Sequence, residues 1–422
     1  MTNFSESDIE EEQIHFTNVV TTFQQYAQYS LAANNRRRKD LYTLPPNDKK
    51  LLDNIGYREK LNAVDKAILV NAEFLKQIVA NPEIFGHDLN FEDSDIKLEE
   101  SLKSEAPIPG RSHSHSHSHS YHGPSHSHDH DGENENHDAR QKRHAKYRPT
   151  DFDMDKLRST LKQFARDWSS EGSQERETSY KPLKDALLEH FCDVPVNERH
   201  NIRVLVPGAG LGRLAYDIAK LGFACQGNEF SHYMLLASYL ILNKTDTIEQ
   251  YTIYPYVHSF SNCVSREAML RPVKMPDVLP SSLPPGSDFS LVAGDFEEIY
   301  GAEEGDSDSH EPQSGQWNAV LTCFFIDTAK NIVNYLRVIH RILAPGGVWI
   351  NLGPLLWHFE NNITNDPSVE LDLEEVKILA RQIGFEISNE RMIDTTYTSN
   401  SQSMLGYIYR TAFWTATKVP DS

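Results

Sequence analysis

The chain has 422 residues and a formal net charge of −20, with 61 Asp and Glu against 41 Lys and Arg. That balance argues against a general nucleic-acid binder, which needs a basic surface. The four cysteines, Cys192, Cys225, Cys263 and Cys323, form no Cys-x-x-Cys pair and no dense disulfide framework, and no apolar run approaches the ~20 residues of a membrane helix.

Residues 1–13 are acidic and polar, unlike a signal peptide, so the expectation is a soluble cytoplasmic protein with no membrane partner. Residues 10–85 read as helical. Phe16, Val19, Val20, Phe23 and Ala27 recur on one face, as do Leu61, Val64, Ile68, Ala72, Leu75 and Val79, with Pro45-Pro46 between the two helices. The expectation for this N-terminal helical region (1–97) is a cap on a catalytic domain. Arg36-Arg37-Arg38-Lys39 reads as a solvated helix end, with a nuclear address as the alternative.

Residues 98–148 form a low-complexity insertion centred on the alternating Ser/His run at 113–119, with too little apolar surface to offset the entropy of ordering. Its imidazoles could bind metal incidentally, but nothing in the sequence supplies a scaffold or second shell. We assign it no catalytic role and expect no required metal.

A third region, 149–422, carries the remaining signals. Met154, Leu157, Leu161, Phe164 and Trp168 make an inward helical stripe, with Gln163 and Arg166 together on a neighbouring face. A second helix should run over 178–191. Residues 202–206 read as a buried parallel strand, followed by Gly208, Gly210 and Gly212 as Gly-x-Gly-x-Gly and then a helix marked by Leu214, Ile218 and Leu221. Arg213 stands where a dinucleotide fingerprint has its third glycine, which disfavours an oxidoreductase. Glu229 falls at the end of a second strand, placed to accept hydrogen bonds from a ribose diol. A helix follows over 230–243, and the proline- and aromatic-rich 251–289 should fold over the site as a lid or wall.

Gly294-Asp295-Phe296 closes another apolar run, and 301–316 reads as an acidic surface loop. The strand over 317–326 ends at Asp327. That acid lies either at the mouth of a doubly wound sheet or as the N-cap of the next helix. Residues 342–350 give a helix end, a Pro-Gly-Gly turn and a strand, and 351–361 brings His358 to the rim. Strands over 385–398 and 404–417 should pair antiparallel, with Tyr407 and Tyr409 on one face.

The glycine loop, Gly294-Asp295-Phe296 and the Pro-Gly-Gly element, in that order, resemble the class I S-adenosylmethionine (SAM) methyltransferases. The resemblance implies an α/β fold: a Rossmann-like doubly wound sheet with a C-terminal antiparallel strand pair, plus the N-terminal helical region. Residues 207–228, 323–329 and 351–361 are more specifically similar to the carnosine N-methyltransferase family. So are Gln-x-x-Arg-Asp-Trp-Ser at 163–169 and Ser-Leu-Pro-Pro-Gly-Ser at 282–287.

That resemblance implies transfer of a methyl group from SAM to the imidazole Nδ1 of carnosine, giving anserine. It implies that Gln163, Arg166, Gly208, Gly210, Gly212, Glu229, Asp295, Phe296 and Cys323 line the SAM site. Asp327, His358, Tyr397, Tyr407 and Tyr409 would surround the dipeptide, with Asp327, His358 and Tyr409 in catalytic roles. On chemical grounds Asp327 would accept the ring Nε2–H, leaving the Nδ1 lone pair for the methyl group. Two alternatives remain at this point: a histidine methyltransferase acting on other peptides or proteins, and a non-catalytic SAM- or metal-binding protein. The sequence leaves a homodimer and nuclear entry open.

Overall fold

A computed structural model of the chain describes residues 6–81, 147–301, 313–362 and 367–419. The histidine tract and most of the acidic 301–316 segment lie outside the described residues.

The N-terminal region is three helices, α1 (Glu6–Thr43), α2 (Pro46–Asn54) and α3 (Tyr57–Ile78). The additional break falls at Gly56, which takes a left-handed φ of 74° that a β-carbon would disfavour. The expected stripes are buried: Phe16, Val20 and Tyr26 of α1 and Leu61, Val64 and Leu75 of α3 are at most 1% exposed.

The chain then continues through α4 (Asp151–Trp168), α5 (Ser173–His190), β1 (Arg203–Pro207), α6 (Arg213–Lys220), β2 (Ala224–Glu229) and α7 (His232–Asn243). Next come β3 (Tyr251–Ile253), α8 (Arg266–Met269), β4 (Val273–Met275), β5 (Phe289–Ala293) and α9 (Phe296–Tyr300). The last part is β6 (Trp317–Cys323), α10 (Ile332–Ile342), β7 (Leu343–Gly353), α11 (Leu373–Ile383), β8 (Phe385–Thr395) and β9 (Tyr409–Lys418).

A seven-stranded sheet has the order β5-β2-β1-β6-β7-β9-β8. Its first five strands are parallel, and β9 runs antiparallel to both β7 and β8. The strand order reverses between β1 and β6, which makes their carboxyl ends the ligand crevice of a doubly wound sheet. β3 and β4 form a separate antiparallel pair. The stripe on α4 is fully buried and joins α1, α3, α7 and the β3–β4 pair in one apolar core.

Three local expectations differ. α5 begins at Ser173 and carries Pro182 inside it. Pro345-Gly346-Gly347 lies within β7, where the register shifts opposite Trp317 and Ala319, so the turn is a bulge in the strand. β9 begins at Tyr409 because the preceding segment is drawn away to Asn262, whose carbonyl accepts from the Met404 N–H at 2.8 Å. Among the described residues no helix is long and apolar enough to cross a membrane.

Candidate active site

At the switch point lies a cleft of about 1950 Å³. A single small-molecule pocket typically has ~300–1,000 Å³, so the cleft has room for two molecules side by side. Gln163, Arg166, Gly208, Gly210, Glu229, Asp295, Phe296, Cys323, Asp327, His358, Tyr397, Tyr407 and Tyr409 all line it. Gly212 is the exception. It is set back at the start of α6, against Leu242, so it turns the chain and does not touch the cleft.

The glycine loop is held from below and from the side. Gly208 has φ 64°, and a β-carbon there would come within 2.6 Å of the Phe325 ring. Phe325 cannot easily yield, because it stacks on Tyr335 at 5.0 Å and meets Phe296 edge-on at 5.3 Å. Trp168 Nε1 donates to the Leu211 carbonyl at 3.0 Å. Arg213 turns away from the cleft and ties α6 to the Asp167 carbonyl and to Asp277. Its place in the motif is therefore structural.

Glu229 accepts the Gly210 N–H on Oε2 at 2.8 Å, and the Phe230 and Ser231 N–H groups on Oε1 at 3.0 and 2.9 Å. Burial raises its pKa and these backbone donors oppose the rise. Each carboxylate oxygen has two lone pairs, so Oε2 keeps one for a hydroxyl donor. Asp295 caps α9 by accepting the Glu297 N–H on Oδ1 at 2.8 Å.

On the facing wall, Gln163 Nε2 donates to Asp167 Oδ2 at 2.9 Å, while its own Oε1 is buried without a partner. Arg166 is held by Asp167 at 2.9 Å, Glu175 at 2.7 Å and Tyr180 at 2.6 Å. Glu175 and Tyr180 carry no motif signal, since their roles arise only when α5 packs beside α4. Glu175 does more than hold Arg166. It also accepts the Thr396 hydroxyl at 2.7 Å and the Thr398 and Ser399 N–H groups at 2.8 and 3.1 Å, which fixes the turn bearing Tyr397.

The other end of the cleft is built on the turn after β6. Phe324 adopts φ 54°, a strained conformation for a non-glycine residue. It packs against Tyr397 at 4.8 Å and Tyr409 at 5.7 Å. Asp327 sits in a 3-10 turn, Ile326–Thr328, and does not cap α10, whose N-cap is Asn331. Asp327 is 3% exposed, and its Oδ2 accepts the Leu356 N–H at 3.0 Å. Burial pushes its pKa up to about 7. Its carbonyl accepts the His358 N–H at 3.0 Å, which fixes His358 beside it.

Tyr409 is raised by burial and by the charge of Asp327. Tyr407 lies in the segment before β9 and is half exposed, so it reaches the cleft from a loop and not from a shared strand face. Burial raises the Cys323 thiol to about 12, which leaves it no nucleophilic thiolate at neutral pH.

Part of the expected lid is a wall. Pro255, Tyr256, His258 and Phe260 line the cleft. The wall is anchored to the N-terminal helices: Asn71 receives the Tyr254 N–H at 2.7 Å, donates to its carbonyl at 3.0 Å, and donates to Tyr26, which pairs with His258 at 2.8 Å. The rest of 251–289 braces α5 and α6 through Asp277, bonded to Arg176 and Arg213.

A sequence profile described as carnosine N-methyltransferase matches residues 143–420. The chain belongs to the carnosine N-methyltransferase family. It is 48% identical over 271 residues to the carnosine N-methyltransferase of Rattus norvegicus, covering 63% of this chain and 64% of that one. The Schizosaccharomyces pombe protein of the same name is 49% identical over 270 residues, covering 62% and 70% of the two chains. The Dictyostelium discoideum one is 37% identical over 409 residues, covering 95% and 75%. The chain thus spans less than two thirds of the rat protein's length, while the alignment with the Dictyostelium protein takes in the N-terminal helices.

Proposed function

We propose that this chain is a SAM-dependent N-methyltransferase that methylates the imidazole Nδ1 of carnosine, giving anserine and S-adenosylhomocysteine. The observation that carries the reading is a buried carboxylate, Asp327, with a pKa near 7, standing among Tyr409, His358 and Phe324 and facing the glycine loop across one cleft.

The residues present suit SAM. The orphaned Gln163 Oε1 asks for a donor such as an ammonium, and the spare lone pair on Glu229 suits a ribose hydroxyl. Space beside Gly210 is open, since a β-carbon there would meet nothing closer than 3.7 Å. Gln163, Arg166, Gly208, Gly210, Glu229, Asp295, Phe296 and Cys323 would hold the donor. Bound there, SAM supplies an electrophilic methyl group on a sulfonium.

The chain's own residues select and steady the nucleophile. Ionised Asp327 accepts the imidazole Nε2–H, which fixes the tautomer whose Nδ1 lone pair is free. As Nδ1 gains its bond to carbon, the ring becomes cationic and Asp327 offsets that charge, then takes the Nε2 proton. A carboxylate near pH 7 matches the imidazole in proton affinity, so neither holds the proton too tightly. The rings of Phe324, Tyr397 and Tyr409 present faces and edges around the same space, where a developing cation is favoured. Holding the ring in line is the larger share of the acceleration.

The test is methyl transfer from labelled SAM to carnosine, free histidine and a histidine peptide, with the modified nitrogen located by NMR. Methylation of carnosine on Nδ1 is the expected result. Turnover on the peptide alone would move the acceptor to other histidine-bearing chains, and SAM binding without any turnover would overturn the reading.

A further inference from the structure

Arg271 lies between α8 and β4 and outside the cleft, yet two of its partners line it. Its guanidinium stands 3.9 Å over the ring of Tyr256, on the wall. Its Nη2 donates to Asn400 Oδ1 at 2.8 Å, on the strap 396–408 that joins β8 to β9. Nε donates to Glu171, in the turn between α4 and α5, at 3.0 Å, and Nη2 donates to the same carboxylate. The Tyr256 hydroxyl also donates to Glu171, at 3.1 Å. Nη1 donates to the Ala268 carbonyl at 2.7 Å, which fixes the fork from its own segment. A planar guanidinium can make all these contacts together, because its donors radiate in the plane while its face is free for a ring.

The wall and the strap meet again further along. The Asn262 carbonyl accepts the Met404 N–H at 2.8 Å and the Ser403 hydroxyl at 3.1 Å. Both segments are strained here: Asn262 takes φ 52° and Thr398 φ 48°, the latter an outlier for a β-branched side chain. Such conformations persist only where neighbours over-determine them. The strap carries Tyr397 and Tyr407 into the cleft and leads into Tyr409. Met404 and Ile408 on it are exposed, and a β-carbon on Gly406 would meet nothing within 4 Å, so apolar packing does little to hold this stretch. Polar bonds set its distance from the wall, and Arg271 reaches both sides.

We propose that Arg271 is a positioning residue for the methyl acceptor: through Asn400 and Tyr256 it holds strap and wall at the separation that seats the imidazole-bearing dipeptide. The proposal rests on the imidazole methyltransferase reading and adds to it a residue that touches neither substrate. Without the fork, Tyr256 and Asn400 are no longer linked, the mouth widens, and a short acceptor loses contact with one side. The donor site stands on α4, the glycine loop and Glu229, and Asp327 stands on the turn after β6. The effect therefore falls on acceptor binding and not on SAM or on the methyl transfer itself.

The experiment measures kcat, KM for carnosine, SAM affinity and Tm in the wild type, Arg271→Gln, Arg271→Lys, Asn400→Ala and the double variant of Arg271→Gln with Asn400→Ala. Arg271→Gln should raise KM about tenfold, the scale of one lost hydrogen bond to a charged group, with kcat and SAM affinity within about threefold. Lysine keeps the charge but not the fork, so Arg271→Lys should recover only a small part of the loss. Asn400→Ala breaks the same bond from the strap side and should raise KM similarly, which keeps the test decisive if Arg271→Gln does not fold. The double variant should exceed the larger single effect by no more than about twofold, because both changes cut one link. Single effects that multiply in the double variant would overturn the proposal, as would an unchanged KM in either single variant. A joint loss of kcat, SAM affinity and Tm would also overturn it, since that marks general loosening. A wild type that binds SAM but methylates no carnosine would instead overturn the reading on which the role stands.

Discussion

In the proposed mechanism Asp327 selects the reacting nitrogen, and its buried environment makes opposite predictions for activity and stability. Its folded pKa of about 7 lies above the ~3.9 of an unfolded aspartate, so the folded state binds the extra proton. The associated stability is fully present below about pH 4 and is lost as pH rises through 7. Asp327→Asn should therefore raise the thermal stability of the ligand-free protein at pH 8, by about 1–4 kcal/mol, with the gain vanishing below pH 4 in a melting series. The same variant should lose at least ~10²-fold in kcat while SAM affinity by calorimetry stays within threefold. Below pH 6 the wild-type log(kcat/KM) should climb with a slope near 2, because both Asp327 and the acceptor ring must be deprotonated, and in Asp327→Asn the slope should fall to 1. At Gly208 the prediction is steric. Gly208→Ala sets a methyl group against Phe325 and demands a positive φ, so SAM affinity should fall at least tenfold in titration calorimetry.

At the scale of elements, the site is a contact between α4, α5 and the turn after β8, and one side chain joins them. Glu175 accepts from Arg166, Thr396, Thr398 and Ser399, four donors that an amide cannot all satisfy. Glu175→Gln should loosen the turn that carries Tyr397 and raise the KM for carnosine about tenfold. SAM affinity should change less, and amide exchange at 396–399 should quicken. A variant with unchanged KM would show that the turn is held by packing alone. The element boundaries have equally local causes. The chain before β9 stays out of the sheet because it pairs with Asn262 and Cys263, and β7 carries its Pro-Gly-Gly as a bulge. Neither follows from alternating hydrophobicity, which sees no partner strand.

In the whole molecule, the N-terminal helices and the seven-stranded half share an apolar core, and Asn71 is one of the polar joints between them. Asn71→Ala would leave the Tyr254 N–H and carbonyl without their partner. It should cost about 2–3 kcal/mol in urea unfolding and raise acceptor KM through a loosened wall at 255–262. Unchanged exchange protection at Tyr254 would sink that link. Repeating local signals were enough to reveal much of this protein: the glycine loop between β1 and α6, Glu229 at the end of β2 and the buried stripe on α4, whereas the strand expected to run as far as Asp327 ends at Cys323 and leaves that acid in a 3-10 turn. These are legible because backbone geometry and helical or strand period restrict which residue can stand where. Most of the residues that the family resemblance implied do line the cleft, with Gly212 the exception, but spacing alone did not single them out. Glu175, Tyr180 and Phe324 were not legible from sequence. A carboxylate on one helix has no meaning until packing decides which donors surround it. Only the tertiary structure fixes that, because desolvation and pairing belong to the space between elements and not to any one of them.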